Sequence, residues 1–346
     1  PKHMGKAYEY FLKASQNGAG YGSYSCGFIL MKGSSDIPRD IEKGLSMFRL
    51  AVEQNYKAAT RDLARYYYSL ETEEDNRKAL DYYLQYIEYN PKDTDTLLHI
   101  GLIYESGLGV PLNIDLARRY YERAAEQDET GMAYNFLGGT YMNDEETESN
   151  ERKAVHYFQK AIELGNTNAM FRISYYLHNG KGGLQVDIPR EIELLTEASK
   201  RGNHQATYRL GLLFEDNESG MAQNLELSVK YFQLAADNGI LAAINKMGEL
   251  YLFGEVIPAN LTKAISCFTA ASEQGYGKAS YWLGRLHTDG IGQLEKDTQK
   301  AMNYYRKAIE QGYEETREWM EQLQKNLVDE TITDIEIPQD KSDEEL

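Results

Sequence analysis

One apolar pattern recurs along the whole chain. Its most regular position is an alanine, replaced by tyrosine in one degenerate copy, and it is followed four residues later by Gly, Asn or Asp. We call this position the anchor, and successive anchors are separated by 37, 35, 38, 37, 37, 37, 36 and 37 residues. A period of this length and regularity is typical of repeat proteins. The anchors are Ala14, Ala51, Tyr86, Ala124, Ala161, Ala198, Ala235, Ala271 and Ala308.

The positions before each anchor predict a helix, which we call helix B. A small residue lies seven positions before the anchor in most copies, and a ring or leucine lies three positions before it. These offsets share one helical face, so we expect the large residues to be core. The Gly or Asn after the anchor predicts a left-handed helix stop. The large residues are Phe11, Phe48, Tyr83, Tyr121, Phe158, Leu195, Phe232, Phe268 and Tyr305.

A second helix, helix A, precedes helix B in each copy. It carries a small residue, the mark, followed three positions later by Leu, an aromatic residue or His. A glycine inside a helix costs about 1 kcal/mol relative to alanine, so its recurrence indicates close helix packing. Gly/Pro loops, as at residues 33–40, 107–111 and 254–258, separate A from B. The marks are Gly27, Ala64, Gly101, Gly138, Ser174, Gly211, Gly248 and Gly284.

These residues resemble the Sel1-like repeat family, which is similar to tetratricopeptide repeats but has a longer unit. The resemblance implies an all-α fold, a right-handed α/α superhelical solenoid of antiparallel helix pairs, with helix A on the concave side and helix B on the convex side. Two segments carry it most clearly: Ala206-x-x-x-Leu210-Gly211-x-x-Phe214 and Lys263-Ala264-x-x-Cys267-Phe268-x-x-Ala271-x-x-x-Gly275.

The pattern predicts one stack of repeats with distinct ends. Residues 1–4 are expected to be a cloning remnant, and residues 5–20 a lone helix B, which suggests that a preceding segment was removed. Eight repeats of about 37 residues fill 21–313. Residues 314–328 are expected to form a capping helix with Trp319 facing the last repeat, and residues 329–346 an acidic disordered tail.

The composition limits the classes of partner that the chain is expected to bind. The formal net charge is −17, from 37 Lys and Arg against 54 Asp and Glu, which disfavours nucleic acid and anionic membranes. The mean hydropathy is −0.61 and no run of about 18 apolar residues occurs, so no membrane insertion is expected. Two cysteines exclude a disulfide scaffold and weakly favour a cytoplasmic protein, with a periplasmic, secreted or ER-lumenal location as alternatives.

Three loops between A and B are acidic instead of Gly/Pro-rich, at residues 71–75, 143–149 and 215–218. Solubility explains such charge without any function. The alternative is an acidic edge that attracts a basic partner or a divalent cation. None of the three has the ligand spacing of a calcium loop, so we predict no metal.

The chain has few signs of catalysis. No pair among the six histidines is spaced by three or four residues, and Cys26 and Cys267 lie in different repeats. Phosphate-binding glycine loops and serine-nucleophile elbows do not occur in the sequence. We therefore expect no catalytic residues, no cofactor and no enzyme activity.

The candidate binding residues lie on the helix-A face that points away from helix B, at offsets −3, +1 and +4 from the mark. Their mixture of aromatic, Arg and Asn side chains is typical of interface cores and of peptide recognition. The alternative is that many are buried between neighbouring repeats. The candidates are Tyr24, Phe28, Arg61, Arg65, Tyr68, Leu98, Leu102, Asn135, Phe171, Tyr175, Tyr208, Asn245, Tyr281 and Arg285.

We therefore expect a non-enzymatic scaffold or adaptor that binds a segment of a partner protein in the concave groove. The alternative is an inhibitor or immunity-type protein that blocks one basic enzyme, and the third class is an enzyme of unrecognised type. The acidic tail is also a candidate to occupy the groove. The oligomeric state and the partner's identity are left open.

Overall fold

A computed structural model describes residues 4–145, 147–216, 223–291 and 294–333. In this part of the chain all regular secondary structure is helical, in eighteen helices. The helices fall into two compact units, Pro1–Asp187 and Ile188–Leu346. Residues 1–3 of the predicted remnant 1–4 and the tail residues 334–346 lie outside the described residues, whereas Met4 is the first residue of a helix.

The first unit alternates B and A helices, beginning with a helix B. Each helix packs on the next along the chain, as expected for antiparallel pairs joined by short loops. Its helices are α1 (Met4–Gln16), α2 (Gly20–Lys32), α3 (Ile41–Glu53), α4 (Ala58–Tyr68), α5 (Glu73–Tyr89), α6 (Thr94–Ser106), α7 (Ile114–Ala125), α8 (Met132–Met142), α9 (Glu148–Glu163) and α10 (Thr167–Asn179).

The second unit continues the alternation and ends with an extra helix that packs on α17. Its helices are α11 (Ile188–Lys200), α12 (His204–Glu215), α13 (Leu225–Asp237), α14 (Leu241–Phe253), α15 (Leu261–Glu273), α16 (Gly277–Asp289), α17 (Thr298–Glu310) and α18 (Thr316–Thr333). The last helix continues past residue 328, so residues 329–333 are helical where we expected a disordered tail. The all-α fold of stacked helix pairs is confirmed.

In the pairs whose mark is glycine, the mark lies directly against the ring of helix B. A Cβ placed on Gly211 would lie 2.6 Å from the ring of Phe232, and the same holds for Gly248 and Phe268. Only glycine lets the two helices approach this closely. The predicted core rings are almost fully buried from Phe48 onward, whereas Phe11 on the first helix is only half-buried.

Helix B begins at a capping side chain. In several repeats an Asp or Asn lies eleven residues before the anchor and accepts a hydrogen bond from a backbone N–H of the first turn. In α5 and α9 the cap is Thr72 or Thr147 and the helix begins one turn earlier. The acidic segments at 71–75 and 143–149 are therefore partly helix N-termini, where negative charge is stabilised by the helix dipole.

Helix B ends mostly as predicted. The fourth residue after the anchor has φ between 64° and 92° at seven positions: Gly18, Asn55, Gly165, Gly202, Gly239, Gly275 and Gly312. The prediction is wrong at Asn90, whose φ is −127°. Here α5 ends without a left-handed residue, and the following turn leads into α6.

A buried hydrogen-bonded clasp joins three successive helices in the second unit. Ser280 Oγ donates to Gln311 Oε1 over 2.6 Å and lies 2.7 Å from Ser272 Oγ. Gln311 Nε2 in turn donates to the backbone carbonyl of Ser272 over 2.8 Å. The first unit has an equivalent clasp of two serines and a glutamine, at residues 15, 23 and 54. Each clasp satisfies polar groups that would otherwise be buried without partners.

Candidate binding surfaces on the helix-A faces

The first unit exposes part of the predicted helix-A set. Phe28 and Tyr175 are 54% and 40% exposed, and Arg65 is exposed as well. Each of these three lies at offset +1 from its mark, on α2, α10 or α4. The half-buried members are Tyr24, Arg61, Tyr68, Leu102 and Phe171.

Tyr24 is fixed by its surroundings. Its ring lies 4.9 Å from that of Tyr56 and 5.4 Å from that of Phe48, centroid to centroid. Its hydroxyl donates to Asp62 Oδ2 over 2.7 Å. Burial, and then the bond to Asp62, raise the pKa of Tyr24 well above its usual value. Tyr24 therefore stays neutral and links α2 to α4.

The two arginines of α4 are paired with carboxylates at the start of α6. Arg65 Nη2 lies 2.6 Å from Asp95 Oδ2, and Arg61 Nη1 lies 3.7 Å from Asp93 Oδ1. The Arg61 guanidinium also lies 5.5 Å from the ring centroid of Tyr86. These cations are thus held in place and partly neutralised, and the face is less positive than the arginines alone suggest.

Three predicted residues at offset −3 are buried. Leu98, Asn135 and Asn245 are only 7%, 5% and 2% exposed, so the expectation that their side chains face solvent is wrong. Longer side chains at the same offset, such as those of Arg61 and Tyr281, reach partly out to water. The offset therefore lies at the margin of the face, where length decides exposure. The Oδ1 atoms of both asparagines have no hydrogen-bond partner among the described residues.

In the second unit, charged groups link α12, α14 and α16. Lys246 Nζ lies 2.8 Å from Glu215 Oε1, and Lys278 Nζ lies 2.8 Å from Glu249 Oε1. Glu249 Oε1 also accepts hydrogen bonds from Asn245 Nδ2 and Trp282 Nε1, both over 2.9 Å. The carboxylate of Glu249 thereby orients two neighbouring side chains as well as pairing with a lysine.

An aromatic cluster continues this face to the last helix. Arg285 Nη1 donates to the hydroxyl of Tyr281 over 3.0 Å, and the Arg285 guanidinium carbon lies 4.1 Å from the ring centroid of Trp319. The rings of Tyr281 and Trp319 are 6.1 Å apart. Trp319 thus contacts the last repeat as predicted, yet remains 43% exposed. Stacking of Arg on Trp holds the two helices together while leaving a face open.

Tyr208 lies at the opposite end of this face. It is half-buried, and its ring centroid is 5.6 Å from that of Phe232. Burial, with smaller contributions from nearby Tyr276 and Glu249, raises the pKa of Tyr208 to about 12. The phenol is therefore neutral at physiological pH and available as a hydrogen-bond donor or acceptor.

The offsets missed several residues of this face. Lys246 and Trp282 both lie at offset −2, which we did not include, and Lys278 lies in the first turn of α16. The same offset holds Asp62 and His99 in the first unit. Large or charged residues thus recur two positions before the mark, and this signal was present in the sequence.

Reactive groups do not cluster on either face. Among the described residues, no three His, Cys, Asp or Glu side chains are placed to hold a metal ion. Burial raises the pKa of the Cys26 thiol to about 11, and that of Cys267 is raised as well. Both thiols are therefore protonated and weakly nucleophilic at neutral pH. None of the described helices is long and apolar enough to cross a membrane.

A family model described as Sel1 repeat matches almost the whole described chain. It matches nine stretches in succession: residues 4–18, 21–56, 57–85, 96–129, 131–166, 167–203, 204–240, 241–276 and 277–313. The first is a partial match that covers α1.

The chain is also similar to individual proteins. It is 33% identical to the Sel1-repeat-containing protein YjcO of Escherichia coli K12 over 78 residues, and these residues make up 22% of this chain. The match spans about a third (34%) of that relative's length. A Sel1 repeat protein from Oxalobacter formigenes has a similar crystal structure, with a TM-score of 0.69, 23% identity and 92% of both chains covered.

A second similar structure is that of c5321, a protective antigen of uropathogenic Escherichia coli with an SLR fold. Its TM-score is 0.61 at 20% identity, and the match covers 90% of this chain and 66% of that one. At these identities the structures support the fold alone. Sel1 repeat proteins are generally protein-interaction scaffolds and typically non-catalytic. The repeat matches show that this chain belongs to the Sel1 repeat family.

Proposed function

We propose that the chain is a non-enzymatic scaffold that binds a segment of a partner protein on the helix-A faces of its repeats. The observation that carries this proposal is the continuous run of aromatic and charged side chains in the second unit. It extends from Tyr208 through Glu249 and Trp282 to Arg285 and Trp319. Aromatic residues and arginine are the side chains that interface cores favour.

The internal contacts of this face support binding because they hold its side chains in place. Trp282 is oriented by Glu249, and Arg285 is held between Tyr281 and Trp319. Side chains that are already ordered lose less conformational entropy when a partner binds. A face of this kind therefore gains more net affinity from the same contacts than a mobile one.

The partner is a protein or peptide rather than a nucleic acid. The chain's charge of −17 repels phosphate, and the two arginines of α4 already pair with aspartates. The remaining exposed groups offer aromatic stacking, cation–π contacts and hydrogen bonds. These suit an extended or helical peptide segment.

A display library of random peptides tests the proposal even while the partner is unidentified. Peptides that bind the wild-type chain should lose about tenfold or more in affinity for Tyr175→Ala, as measured by fluorescence anisotropy. The matched control is Tyr89→Ala on helix B. Tyr89 and Tyr175 are 41% and 40% exposed, and each has a lysine over its ring. The two rings are thus matched in exposure and in having a nearby cation, and they lie on different helix faces.

Phe28→Ala and Trp319→Ala extend the test to other repeats, and Arg65→Glu reverses a charge on the same face. The melting curve by circular dichroism should stay close to that of the wild type for Phe28→Ala, whose side chain is exposed. Trp319→Ala and Arg65→Glu also lose the contacts with Arg285 and Asp95, so their binding is measured at a temperature where circular dichroism shows both variants to be folded. If selected peptides bind the helix-A variants and Tyr89→Ala equally well, the helix-A faces are not the binding surface.

A second candidate is an inhibitor or immunity-type protein that blocks one basic enzyme. The net charge of −17 favours it, because it would accelerate association with a basic target. Affinity capture distinguishes the two: an inhibitor returns one enzyme, bound tightly and with a strong dependence of the association rate on salt. A scaffold returns several partners with weaker dependence.

A further inference from the structure

A stacked ring pair links helix A to helix B in most repeats. The helix-A ring lies three residues after the mark, and the helix-B ring lies four residues before the anchor. Their planes differ by at most 11° and their centroids are 5.6–6.0 Å apart. The pairs are Tyr67–Tyr82, Tyr104–Tyr120, Tyr141–Tyr157, Phe214–Tyr231 and His287–Tyr304.

The seventh repeat breaks this rule. Tyr251 occupies the helix-A position, but the helix-B position is Cys267. Every other aromatic residue or histidine at the helix-A position is matched by a tyrosine. Tyr251 is therefore the one ring of this series without a ring opposite it in the sequence.

The side chain near Tyr251 on the preceding helix B is also smaller than its equivalent in another repeat. In the fourth repeat, the Arg118 guanidinium of α7 covers Tyr141 at 4.0 Å from the ring centroid. The equivalent position of α13, six residues before the anchor, is Val229. Tyr251 thus has smaller neighbours on both flanking helices than Tyr141 does.

A cavity of about 610 Å³ lies beside Tyr251, between α13 and the loop that leads into α15. Its apolar lining includes Val229, Leu234, Met247, Ile257 and Pro258, and Leu234 is 48% exposed. The volume lies in the range of small-ligand sites. All of its lining residues belong to the second unit and to the described part of the chain.

The rim of this cavity is mostly basic. Lys263 Nζ lies 5.0 Å from the ring centroid of Tyr251, and Lys230 also lines the cavity while pairing with Glu226 over 2.8 Å. Asp237 is the one carboxylate of the lining. The pair of Lys230 with Glu226 is exposed and therefore weak, so Lys230 can exchange Glu226 for a carboxylate of a partner. On a chain of net charge −17, two lysines beside an apolar cavity make a local site for a partner with negative charge.

We propose that this cavity takes an aromatic side chain of a partner protein, flanked by acidic residues. The ring would stack on Tyr251, where five other repeats supply their own tyrosine, and the flanking carboxylates would pair with Lys230 and Lys263. Stacked aromatic pairs contribute beyond their buried area, which favours a ring over an aliphatic side chain. This site lies on the helix-B side and is independent of the proposed helix-A surface.

The first probe is p-cresol, the side chain of tyrosine, titrated into protein with ¹³C-labelled methionine methyl groups. The Met247 resonance should shift saturably with Kd on the order of 1 mM, a value reasonable for a ligand of this size. The non-aromatic 4-methylcyclohexanol should bind at least fivefold more weakly. Equal binding of both probes, or no shift at Met247, would overturn the proposal.

Two variants locate the ring. Cys267→Tyr restores the missing ring and should weaken p-cresol binding at least tenfold. Tyr251→Leu removes the stacking surface and should weaken p-cresol binding to a similar extent. If circular dichroism shows that Cys267→Tyr does not fold, Tyr251→Leu alone tests the stacking. Unchanged p-cresol affinity in a folded variant contradicts the stacking on Tyr251.

A pair of peptides tests the partner's charge. The N-acetyl amide of Glu-Tyr-Glu should bind at least tenfold more tightly than that of Lys-Tyr-Lys, and the difference should shrink in the Lys230→Gln/Lys263→Gln variant. Tighter binding of the lysine peptide would overturn the acidic partner. Peptides selected on the helix-A faces should not compete with p-cresol, so failure here and failure of the proposed function are separate results.

Discussion

Gly138 of α8 lies directly against the ring of Phe158 of α9. A Cβ at position 138 would be 2.5 Å from Cε1 of that ring, closer than real Cβ contacts. The neighbouring Gly139 differs, since a Cβ there would meet only the guanidinium end of Arg172, at 3.0 Å. Two adjacent glycines on one helix thus have opposite packing roles.

Gly138→Ala should therefore destabilise the protein, whereas Gly139→Ala should not. Forcing a methyl group against Phe158 costs about 1–3 kcal/mol of overpacking, more than the roughly 1 kcal/mol gained in helix propensity. At position 139 the flexible arginine moves aside, so alanine is neutral or stabilises by up to about 1 kcal/mol. Urea unfolding monitored by circular dichroism measures both, and equal effects of the two substitutions would contradict the close-packing role of the mark.

The clasp at Gln311 allows a similar comparison between repeats. Gln311→Ala removes two hydrogen bonds, one to the hydroxyl of buried Ser280 and one to the carbonyl of Ser272, at a cost of about 1–3 kcal/mol in the free energy of unfolding. Gln274 occupies the same position one repeat earlier, but it is exposed and bonds only within its own helix. Gln274→Ala should change stability by less than about 0.5 kcal/mol. If Gln274→Ala lowers the free energy of unfolding as much as Gln311→Ala does, the hydrogen bonds of the clasp do not stabilise the fold specifically.

The sequence predicted the parts of this fold that depend on one helix face. The ring or leucine three residues before the anchor is buried in each copy from Phe48 to Tyr305 because local helix geometry alone aligns it with the small residue of helix B. The exposure of Leu98 and Asn135 could not be predicted this way, since it depends on how far side chains of neighbouring helices extend. The missing ring opposite Tyr251 can be recognised only when helix A and helix B of the repeat are compared with each other.

Glu191 shows what a departure from the pattern signals. It lies seven residues before the anchor Ala198, where most copies have a small residue, and its side chain is fully buried. Arg209 Nε of α12 donates to Glu191 Oε1 over 3.1 Å, and Arg209 Nη2 lies 3.1 Å from the same oxygen. The exception was visible in the sequence, but its partner on the next helix was not.

Removing one partner of this pair should be much worse than removing both. Arg209→Ala removes a positively charged donor from a fully buried carboxylate and should cost about 3–5 kcal/mol. The double variant Glu191→Ala/Arg209→Ala restores the small residue of the other repeats and should recover most of that loss. As a control, Arg152→Ala breaks the exposed pair with Glu148 and should cost less than about 1 kcal/mol. A double-mutant cycle by urea unfolding without positive coupling would contradict this account.

His287 is the histidine of a stacked pair. Its ring lies 5.7 Å from that of Tyr304 with an interplanar angle of 5°, and its buried Nδ1 has no hydrogen-bond partner within the described part of the chain. Burial, and then the positive charge of Lys300, lower the pKa of His287, while Asp297 acts in the opposite direction. The folded protein therefore favours the neutral imidazole.

Stability should accordingly fall on acidification, and His287→Phe should remove part of that fall. The unfolded chain binds a proton at His287 near its usual pKa of about 6.5, whereas the folded chain resists protonation until a lower pH. The contribution is thus complete above pH 6.5 and is lost as pH falls toward the lowered pKa. Phenylalanine keeps a ring against Tyr304 without titrating. Between pH 7.5 and pH 5.5 the urea midpoint should fall less for His287→Phe than for the wild type. Equal falls in the two proteins would show that His287 does not contribute to the acid sensitivity.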